Sequence, residues 1–382
     1  MTKSALFRSF WMAGFESACH INRSGTRLDL ICATQHDRHV DEDYAALLPW
    51  NIRAVREGMR WHLIDRGGTY DFSSVHPMLA AAERHGIDVL WNLCHYGWPD
   101  DVELMAPAFA DRFARYCAAA ARCVAEHTDR VPFYCPINEL SFFAWAAGEV
   151  GYIHPFGLDH GHTVKRQLVR AAIAGIEVIW AVDPRARMIQ VDPIIHVVPP
   201  RDRPDLAAAA ADQRERQFHA WSMLSGALEP ELGGHPKYLD IIGVNYYHAN
   251  QWEHPDVRLR WEDTPRDPRW VPFSELLAEV YQRYGRPMFI AETSHFGSGR
   301  ARWIAEITDE VIAARAAGVP VEGICLYPII DRPDWDMTGA WHNSGLWDVR
   351  KVREGDGVRL ERVLVEEYAE ELRRCQSLVG AV

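Results

Sequence analysis

Short apolar runs that suit β-strands alternate with longer segments of helical composition along this chain of 382 residues. The apolar runs are continuous, as in a parallel sheet that is covered on both faces. Eight such β/α units predict one domain over residues 1–382 that folds as a closed (β/α)8 TIM barrel of the α/β class. The predicted strands lie near 7–14, 52–61, 87–94, 131–138, 186–192, 239–247, 286–292 and 321–328.

An open, doubly wound sheet is the main alternative fold, and it normally carries a glycine-rich phosphate loop after its first strand. The residues after the first predicted strand, FESACHINRSG, contain no such pattern. The stretch FIAETSHFGSGRAR has Gly297 and Gly299 between a strand and a helix, but Arg302 stands where a third glycine is expected. A nicotinamide cofactor and an oxidoreductase function are therefore not predicted.

Charge and composition disfavour several classes of partner. The net charge is −12 with acids and bases interspersed, so no basic stripe is available to bind nucleic acid. No window reaches roughly 18 apolar residues and no signal peptide is recognisable, so we expect a soluble, cytoplasmic protein without membrane contact. The eight cysteines form no CxxC pair and are expected to be reduced. The abundant aromatic residues, 15 Trp, 13 Tyr and 14 Phe, are typical of surfaces that stack against sugar rings.

Polar side chains follow six of the eight predicted strands, at the barrel end where enzymes of this fold carry their chemistry. Each side chain alone could be a packed or solvated residue, but independent explanations for so many strand ends are hard to sustain. We expect the side chains to converge on one cleft. They are Arg60 after strand two, His95 after strand three, Asn138 and Glu139 after strand four, Asn245 and Tyr247 after strand six, Glu292 after strand seven, and Tyr327 after strand eight.

Two glutamates, Glu139 and Glu292, are at the centre of this set. Retaining glycosidases use two carboxyl groups about 5 Å apart, one protonated to assist the leaving group and one ionised to attack the anomeric carbon. Asn138 can bind a sugar hydroxyl, while Arg60 and Tyr247 are groups that keep a nearby carboxylate ionised. We predict that Glu139 is the acid/base and Glu292 the nucleophile, without a metal or an organic cofactor.

Five motifs at these positions resemble glycoside hydrolase family 1, the β-glucosidase and β-galactosidase family of retaining (β/α)8 glycosidases. PINEL resembles its Asn-Glu-Pro motif, and LCHYGWP resembles its His-His-Trp-Asp-x-Pro motif. GMRW, DIIGVNYY and YPIIDRPDW resemble its Arg-Phe-Ser, Gly-Ile-Asn-Tyr-Tyr and Trp-Ser-Leu-Leu-Asp-Asn-Phe-Glu-Trp motifs, in the same order. The sequence departs from the family at Leu140, at AETS around Glu292, at Tyr327 and at Asp334.

The resemblance implies hydrolysis of a small-molecule or oligosaccharide β-glycoside, with Glu139 as acid/base and Glu292 as nucleophile. It also implies a substrate-binding set around these two residues. In that set, Asn138 would bind the 2-hydroxyl, His95 the 3-hydroxyl, and Asp334 the 4- and 6-hydroxyls. Tyr327 would be the stacking platform, and Trp335 and Asn245 would be further substrate-binding residues. Tyr247 and Arg60 would be partners of the nucleophile, and His20 stands where the family has a sugar-binding Gln.

Several alternatives stay open. A 6-phospho-β-glycosidase would need a cationic pocket, but Arg332 stands beside Asp331 and Asp334, which would repel a phosphate. A transglycosidase would use the same intermediate, and a catalytically silent sugar-binding barrel would keep the fold without needing two glutamates. The segment QHDRHVDED lacks metal-ligand spacing and is interpreted as a solvated surface. The tryptophans that could either rim the cleft or pack in the core are Trp98, Trp145, Trp252, Trp261 and Trp270.

Overall fold

The computed structural model describes residues 5–337 and 339–380. Eight parallel strands form a closed barrel in which each strand pairs with the next along the chain and the eighth pairs with the first. The predicted (β/α)8 barrel is confirmed, and a strand overlaps every predicted run. The strands are β1 Trp11–Gly14, β2 Ala54–Gly58, β3 Asp88–Asn92, β4 Phe133–Cys135, β5 Arg187–Pro193, β6 Ile241–Asn245, β7 Met288–Thr293 and β8 Val321–Leu326.

Helices follow the strands and form the outer layer. Their apolar faces pack against the outward-facing side chains of the strands in one extensive core. The longer helices are α1 His36–Leu47, α2 His76–His85, α3 Phe109–Ala125, α4 Gly161–Val182, α5 Ala207–Glu215, α6 His219–Ser225, α7 Phe273–Tyr284, α8 Gly299–Ala316 and α9 Glu366–Gly380. Shorter helices are Leu30–Ala33, Trp61–Ile64 and Leu140–Ala144.

In the part of the chain that the structure describes, short strands outside the barrel form three small sheets. The largest element is an antiparallel hairpin of Trp347–Glu354 and Gly357–Leu364, which follows β8. The other strands are Asp65–Arg66 with Thr69–Tyr70, and His196–Val198 with Gln251–Glu253 and Val257–Arg258.

Side chains of β2 alternate between the inside and the outside of the barrel, as the two-residue period of a strand requires. Ala54 packs with the apolar residues inside the barrel, and Val55 belongs to the core outside it. The same alternation places Arg56 inside and Glu57 outside, where Glu57 meets His36 of α1. One strand therefore directs one charged residue toward the catalytic end of the barrel and another toward the helices.

The segment QHDRHVDED was predicted to be a solvated surface, and this prediction is wrong for its buried face. His36 and Asp43 lie about two turns apart on the same face of α1 and are 1% and 4% exposed. The His36 ring lies 2.8 Å from Asp43 and 2.7 Å from Glu57, and Arg362 of the hairpin pairs with Asp43 at 2.8 Å. Although burial opposes protonation, Glu57 and Asp43 raise the pKa of His36 to about 9.

All eight cysteines are free, and all but Cys32 are buried. Burial raises the pKa of Cys19 and of Cys135 to about 12, so these thiols stay protonated. Among the described residues, no helix is both long enough and apolar enough to cross a membrane.

Candidate active site

Glu139 and Glu292 lie at the carboxyl ends of β4 and β7, and both line an open cleft of about 400 Å³. Both carboxyl groups are largely withdrawn from water, since Glu139 is 8% exposed and Glu292 is 4% exposed. The prediction that polar strand ends converge is therefore met for these two residues. Further residues predicted for the site also line the cleft, namely His95, Tyr247, Tyr327, Asp334 and Trp335.

The backbone at Glu139 is held in a conformation that is rare for a residue with a side chain. Its φ is 47°, in the left-handed region, and its N–H donates to the carbonyl of Val191 on β5 at 3.0 Å. Two residues further, the N–H of Ser141 donates to the buried carboxylate of Asp192 at 3.0 Å. Strain of this kind persists where surrounding contacts fix the backbone, as they often do at functional sites.

The Glu139 carboxyl group is suited to carry a proton at neutral pH. Burial, reinforced by the nearby charge of Glu292, raises the pKa of Glu139 to about 8. Two donors partly offset this rise, because Tyr96 donates its hydroxyl to Oε2 and Asn245 donates Nδ2 to Oε1 at 2.8 Å. A carboxylic acid of this kind can protonate a leaving group.

Glu292 has different surroundings, because three donors converge on its carboxylate. Arg56 Nη1 lies 3.0 Å from Oε1, the Tyr247 hydroxyl donates to Oε2 at 2.9 Å, and Asn138 Nδ2 donates to Oε1 at 3.2 Å. Arg56 is itself only 3% exposed, so a buried charge pair is formed. The Glu292 carboxylate therefore has three hydrogen-bond donors within 3.2 Å, one of them a cation.

Arg60, predicted as a partner of the nucleophile, does not reach this cluster, and Arg56 takes that place. The strand β2 ends at Gly58, before Arg60, and the chain then enters the helix Trp61–Ile64. Arg60 instead pairs with Asp29 at 2.9 Å and with Asp37 at 3.5 Å. The signal for Arg56 was a charged residue in the middle of a buried strand, which must find a buried partner.

Asn138 connects the groups around the two carboxylates. Its Oδ1 accepts from Arg56 Nη2 at 2.9 Å, and its Nδ2 lies 3.1 Å from the Tyr96 hydroxyl and 3.2 Å from His95 Nε2. Asn138 is fully buried, so these contacts fix its orientation. Burial, with a smaller contribution from Arg56, lowers the pKa of His95 well below its usual range, so its ring is neutral.

Tyr327 lies at the end of β8, with its ring over the Arg56 guanidinium at 5.2 Å. Its hydroxyl donates to Glu16 at 3.4 Å, and Arg332 lies 3.1 Å from the other oxygen of Glu16. Glu16 lines the cleft and was missed by the sequence reasoning, although a carboxylate two residues beyond β1 was a signal of the same type as the others. Burial raises the pKa of Glu16, against the opposing charge of Arg332.

Asp334 and Trp335 form part of the outer wall of the cleft. Asp334 accepts from the N–H of Asp336 at 2.8 Å and from His342 Nε2 at 2.8 Å. His20, predicted to bind sugar, does not line the cleft and packs edge-on against the Trp335 ring at 4.6 Å. It is 1% exposed, and within residues 5–337 and 339–380 neither ring nitrogen has a hydrogen-bond partner.

The five tryptophans that could have rimmed the cleft do not line it. Trp98 and Trp261 are buried, which is the packing alternative that the sequence left open. Trp145 is 47% exposed, and its ring lies 5.7 Å from that of Phe142, which does line the cleft.

No protein-family model and no curated protein sequence matches this chain. Its fold is similar to that of the β-glucosidase from Thermotoga maritima in complex with glucoimidazole, with a TM-score of 0.77 and 15% identity over 97% of this chain and 98% of that one. For the family 1 β-glucosidase from Thermotoga maritima, the TM-score is 0.77 and the sequence identity is 14%, over 97% of each chain. For its complex with isofagomine lactam, the TM-score is 0.76 and the identity is 15%, over 98% of each chain. The predicted resemblance to glycoside hydrolase family 1 is thus confirmed for the fold.

Proposed function

We propose that this protein hydrolyses a β-linked glycoside with retention of configuration. The observation that carries the proposal is the pair of buried carboxyl groups in unlike surroundings. Glu139 has a pKa of about 8 and keeps its proton at neutral pH, whereas Glu292 is surrounded by Arg56, Tyr247 and Asn138. One protonated and one ionised carboxyl group are the two states that a double displacement requires.

In the first step, a carboxylate oxygen of Glu292 attacks the anomeric carbon as the bond to the leaving oxygen breaks. Glu139 gives its proton to that oxygen, and the aglycone leaves as an alcohol. The charge lost at Glu292 reappears at Glu139, so the net charge of the site is unchanged. Arg56 Nη1, 3.0 Å from Glu292 Oε1, holds this carboxylate in place for the attack.

In the second step, Glu139 removes a proton from water, which attacks the anomeric carbon and releases Glu292. The sugar leaves with its original configuration because two inversions have occurred. Arg56 and Tyr247 then stabilise the departing carboxylate. A transglycosidase would accept an alcohol instead of water in this step, so the two activities differ only in the acceptor.

We assign substrate contacts to polar residues that line the cleft or lie next to its lining. Asn138 and His95 would bind the 2- and 3-hydroxyls, and Asp334 would bind the 4- and 6-hydroxyls. Tyr327 and Trp335 would pack against the sugar ring. His20 would act indirectly, by supporting the Trp335 ring that it contacts at 4.6 Å. This differs from the direct contact that the resemblance implied.

A neutral sugar is favoured over a 6-phosphosugar. Arg332, the cation expected to bind the phosphate, is paired with the carboxylate of Glu16 at 3.1 Å, and Asp334 lines the same wall. A dianionic phosphate would have to break this ion pair. The related β-glucosidase structures contain glucoimidazole and isofagomine lactam, which supports a glucose-like sugar as the first candidate. The cytoplasmic location stays a prediction from sequence.

A panel of nitrophenyl glycosides tests the proposal, with α-, β- and 6-phospho-β-linked members. Wild type should cleave a neutral β-glycoside, and Glu292→Gly should lose activity but form an α-glycosyl azide in the presence of azide. Glu139→Ala should retain activity mainly on substrates with acidic leaving groups, and azide should give it the β-azide. Glu126→Gln, which changes an exposed carboxylate at the end of α3, is the matched control.

Two outcomes would overturn the proposal. Folded wild type that cleaves no glycoside in the panel would favour the catalytically silent sugar-binding barrel. Cleavage that survives in both Glu139→Ala and Glu292→Gly would place the chemistry on other residues. Preferential cleavage of the 6-phospho-β-glycosides would retain the mechanism but overturn the assignment of a neutral sugar.

A further inference from the structure

A second cluster of candidate ligands lies beyond the ends of β6 and β7, beside the cleft. His248, His295 and Glu262 each offer one ligand atom, and these atoms lie within 4.8 Å of one another. Two imidazoles and one carboxylate form a donor set that suits zinc and related ions, whereas calcium and magnesium prefer oxygen ligands. None of these three residues is needed for the glycosidase steps.

The barrel itself places the two histidines side by side. Asn245 of β6 and Glu292 of β7 are partners in the sheet register, and His248 and His295 each lie three residues further along. Their ring centroids are 4.2 Å apart. The two ligands therefore extend from the rigid ends of neighbouring strands, which is the arrangement that fixes a metal site best.

His295 is supported on both ring nitrogens. Its Nε2 lies 3.1 Å from Glu262 Oε1, and its Nδ1 lies 3.1 Å from the carbonyl oxygen of Phe296. A hydrogen on Nδ1 would donate to that carbonyl and leave the Nε2 lone pair for a metal, as ligating histidines usually do. The Phe296 N–H lies 2.7 Å from Nδ1 and favours the opposite tautomer, with Nε2–H donating to Glu262, as the metal-free state.

A buried polar atom of His248 points to a bound ligand, and the packing of Gly299 fixes His295. His248 is 9% exposed, and its buried Nδ1 has no hydrogen-bond partner among the described residues, an unfavourable condition for a polar atom. Gly299, at the start of α8, has no side chain beside His295, where a Cβ would lie only 2.2 Å from Nδ1. Gly299 therefore lets the start of α8 pack directly against the His295 ring, and His248 is left with an unused nitrogen.

The approach distances suit an ion of this size. Ligands at 2.0–2.1 Å from a tetrahedral zinc ion are about 3.4 Å apart, close to the 3.1 Å between His295 and Glu262. Glu262 has a side chain that is 40% exposed, so it is free to rotate toward the rings. We propose that His248, His295 and Glu262 bind one divalent ion of the zinc class. His248 lines the cleft, so the ion would lie beside the substrate volume.

Calorimetric titration of chelator-treated, full-length protein with zinc chloride tests the proposal. Wild type should bind one equivalent, and Glu262→Gln and His295→Gln should each weaken binding about tenfold or more. His162→Gln is the matched control, because His162 also pairs with a glutamate, Glu229, at 2.8 Å but its side chain is 59% exposed on α4. That control should bind zinc as wild type does.

Cobalt spectroscopy gives a second readout. Cobalt(II) in a site with nitrogen and oxygen ligands should give visible absorption bands in wild type that are lost in His295→Gln. Glu262 is at the surface, so Glu262→Gln decides the question if a histidine variant fails to fold, as judged by circular dichroism. The proposal is overturned if folded wild type binds no zinc, or if zinc binds equally well to wild type, Glu262→Gln and His162→Gln.

Discussion

The hydroxyl of Tyr96 should control the alkaline limit of activity. This hydroxyl donates to Oε2 of Glu139, and it also accepts from Asn138 Nδ2 at 3.1 Å. A donor to a carboxyl oxygen stabilises the ionised form and so lowers the pKa. Removing the hydroxyl in Tyr96→Phe should therefore raise the pKa of Glu139 above its value of about 8 and extend activity to higher pH.

The size of the shift follows from the strength of the lost contact. A hydrogen bond to a charged group contributes about 1.5–3 kcal/mol, and about 1.4 kcal/mol corresponds to one pKa unit. In Tyr96→Phe, the alkaline limb of the pH–activity profile should therefore move upward by about one to two pH units. In wild type, the limb should lie near pH 8, because activity is lost as Glu139 loses the proton that assists the leaving group.

The pH dependence of kcat/KM on the best β-glycoside of the panel measures this limb. Tyr152→Phe is the matched control, since Tyr152 also lines the cleft but its hydroxyl donates to Asp336 at 3.0 Å. The control should keep the wild-type limb. A limb that stays in place in Tyr96→Phe, or moves to lower pH, would refute the assignment of Glu139 as the group that titrates.

Three other perturbations test separate parts of the account. Arg56→Gln should lower kcat by about 100-fold or more, because Glu292 loses its buried cation. Arg60→Gln should leave kcat within a few-fold of the wild-type value, and steady-state kinetics on both variants measures the difference. Protonated His36 contributes stability that is complete below pH 6.5 and is lost as the pH rises through 9. His36→Gln should therefore lower the free energy of unfolding at pH 7 by about 3 kcal/mol, and this free energy should decline less steeply toward pH 9.5 than in wild type. Urea denaturation at several pH values measures both effects. Gly14→Ala would put a Cβ 2.0 Å from the Tyr327 ring. The substitution should lower the free energy of unfolding, measured with heat or urea, by about 1–3 kcal/mol and should raise KM. A variant with wild-type KM and stability would contradict this packing.

The barrel, and the position of both glutamates at the cleft, could be predicted because each depends on a local sequence pattern. Continuous apolar runs mark buried parallel strands, and the residue that follows each run must lie near the barrel mouth. Asn138, Glu139 and Glu292 follow such runs directly, so a small error in the strand boundary did not move them away from the cleft.

The errors came from features that one strand cannot reveal. The difference between Arg56 and Arg60 depends on where β2 ends, and the boundary lies at Gly58 because the chain turns into the helix Trp61–Ile64. The choice between His20 and Glu16 depends on the path of the chain after β1, which no periodicity describes. Tyr96 was missed because its contact with Glu139 joins the ends of two different strands.

The buried cluster around His36 shows the same limit in the helical layer. The segment QHDRHVDED is rich in charged residues, a composition typical of a solvent-exposed helix, yet one face of α1 is buried. Asp43 and Glu57 come together on the His36 ring only through the packing of α1 on β2, and Arg362 arrives from the distant hairpin. Charge composition alone cannot distinguish a solvated helix from one whose charges satisfy each other in the core.

The central claim is that Glu292 forms a covalent bond to the sugar. A 2-deoxy-2-fluoro β-glycoside with a good leaving group should accumulate that intermediate, because the fluorine slows both steps and the leaving group speeds the first. Mass spectrometry of the trapped protein should show one added glycosyl group, located by peptide mapping on the peptide that contains Glu292. An adduct on another residue, or turnover of the parent glycoside with inverted configuration and no adduct, would contradict the account.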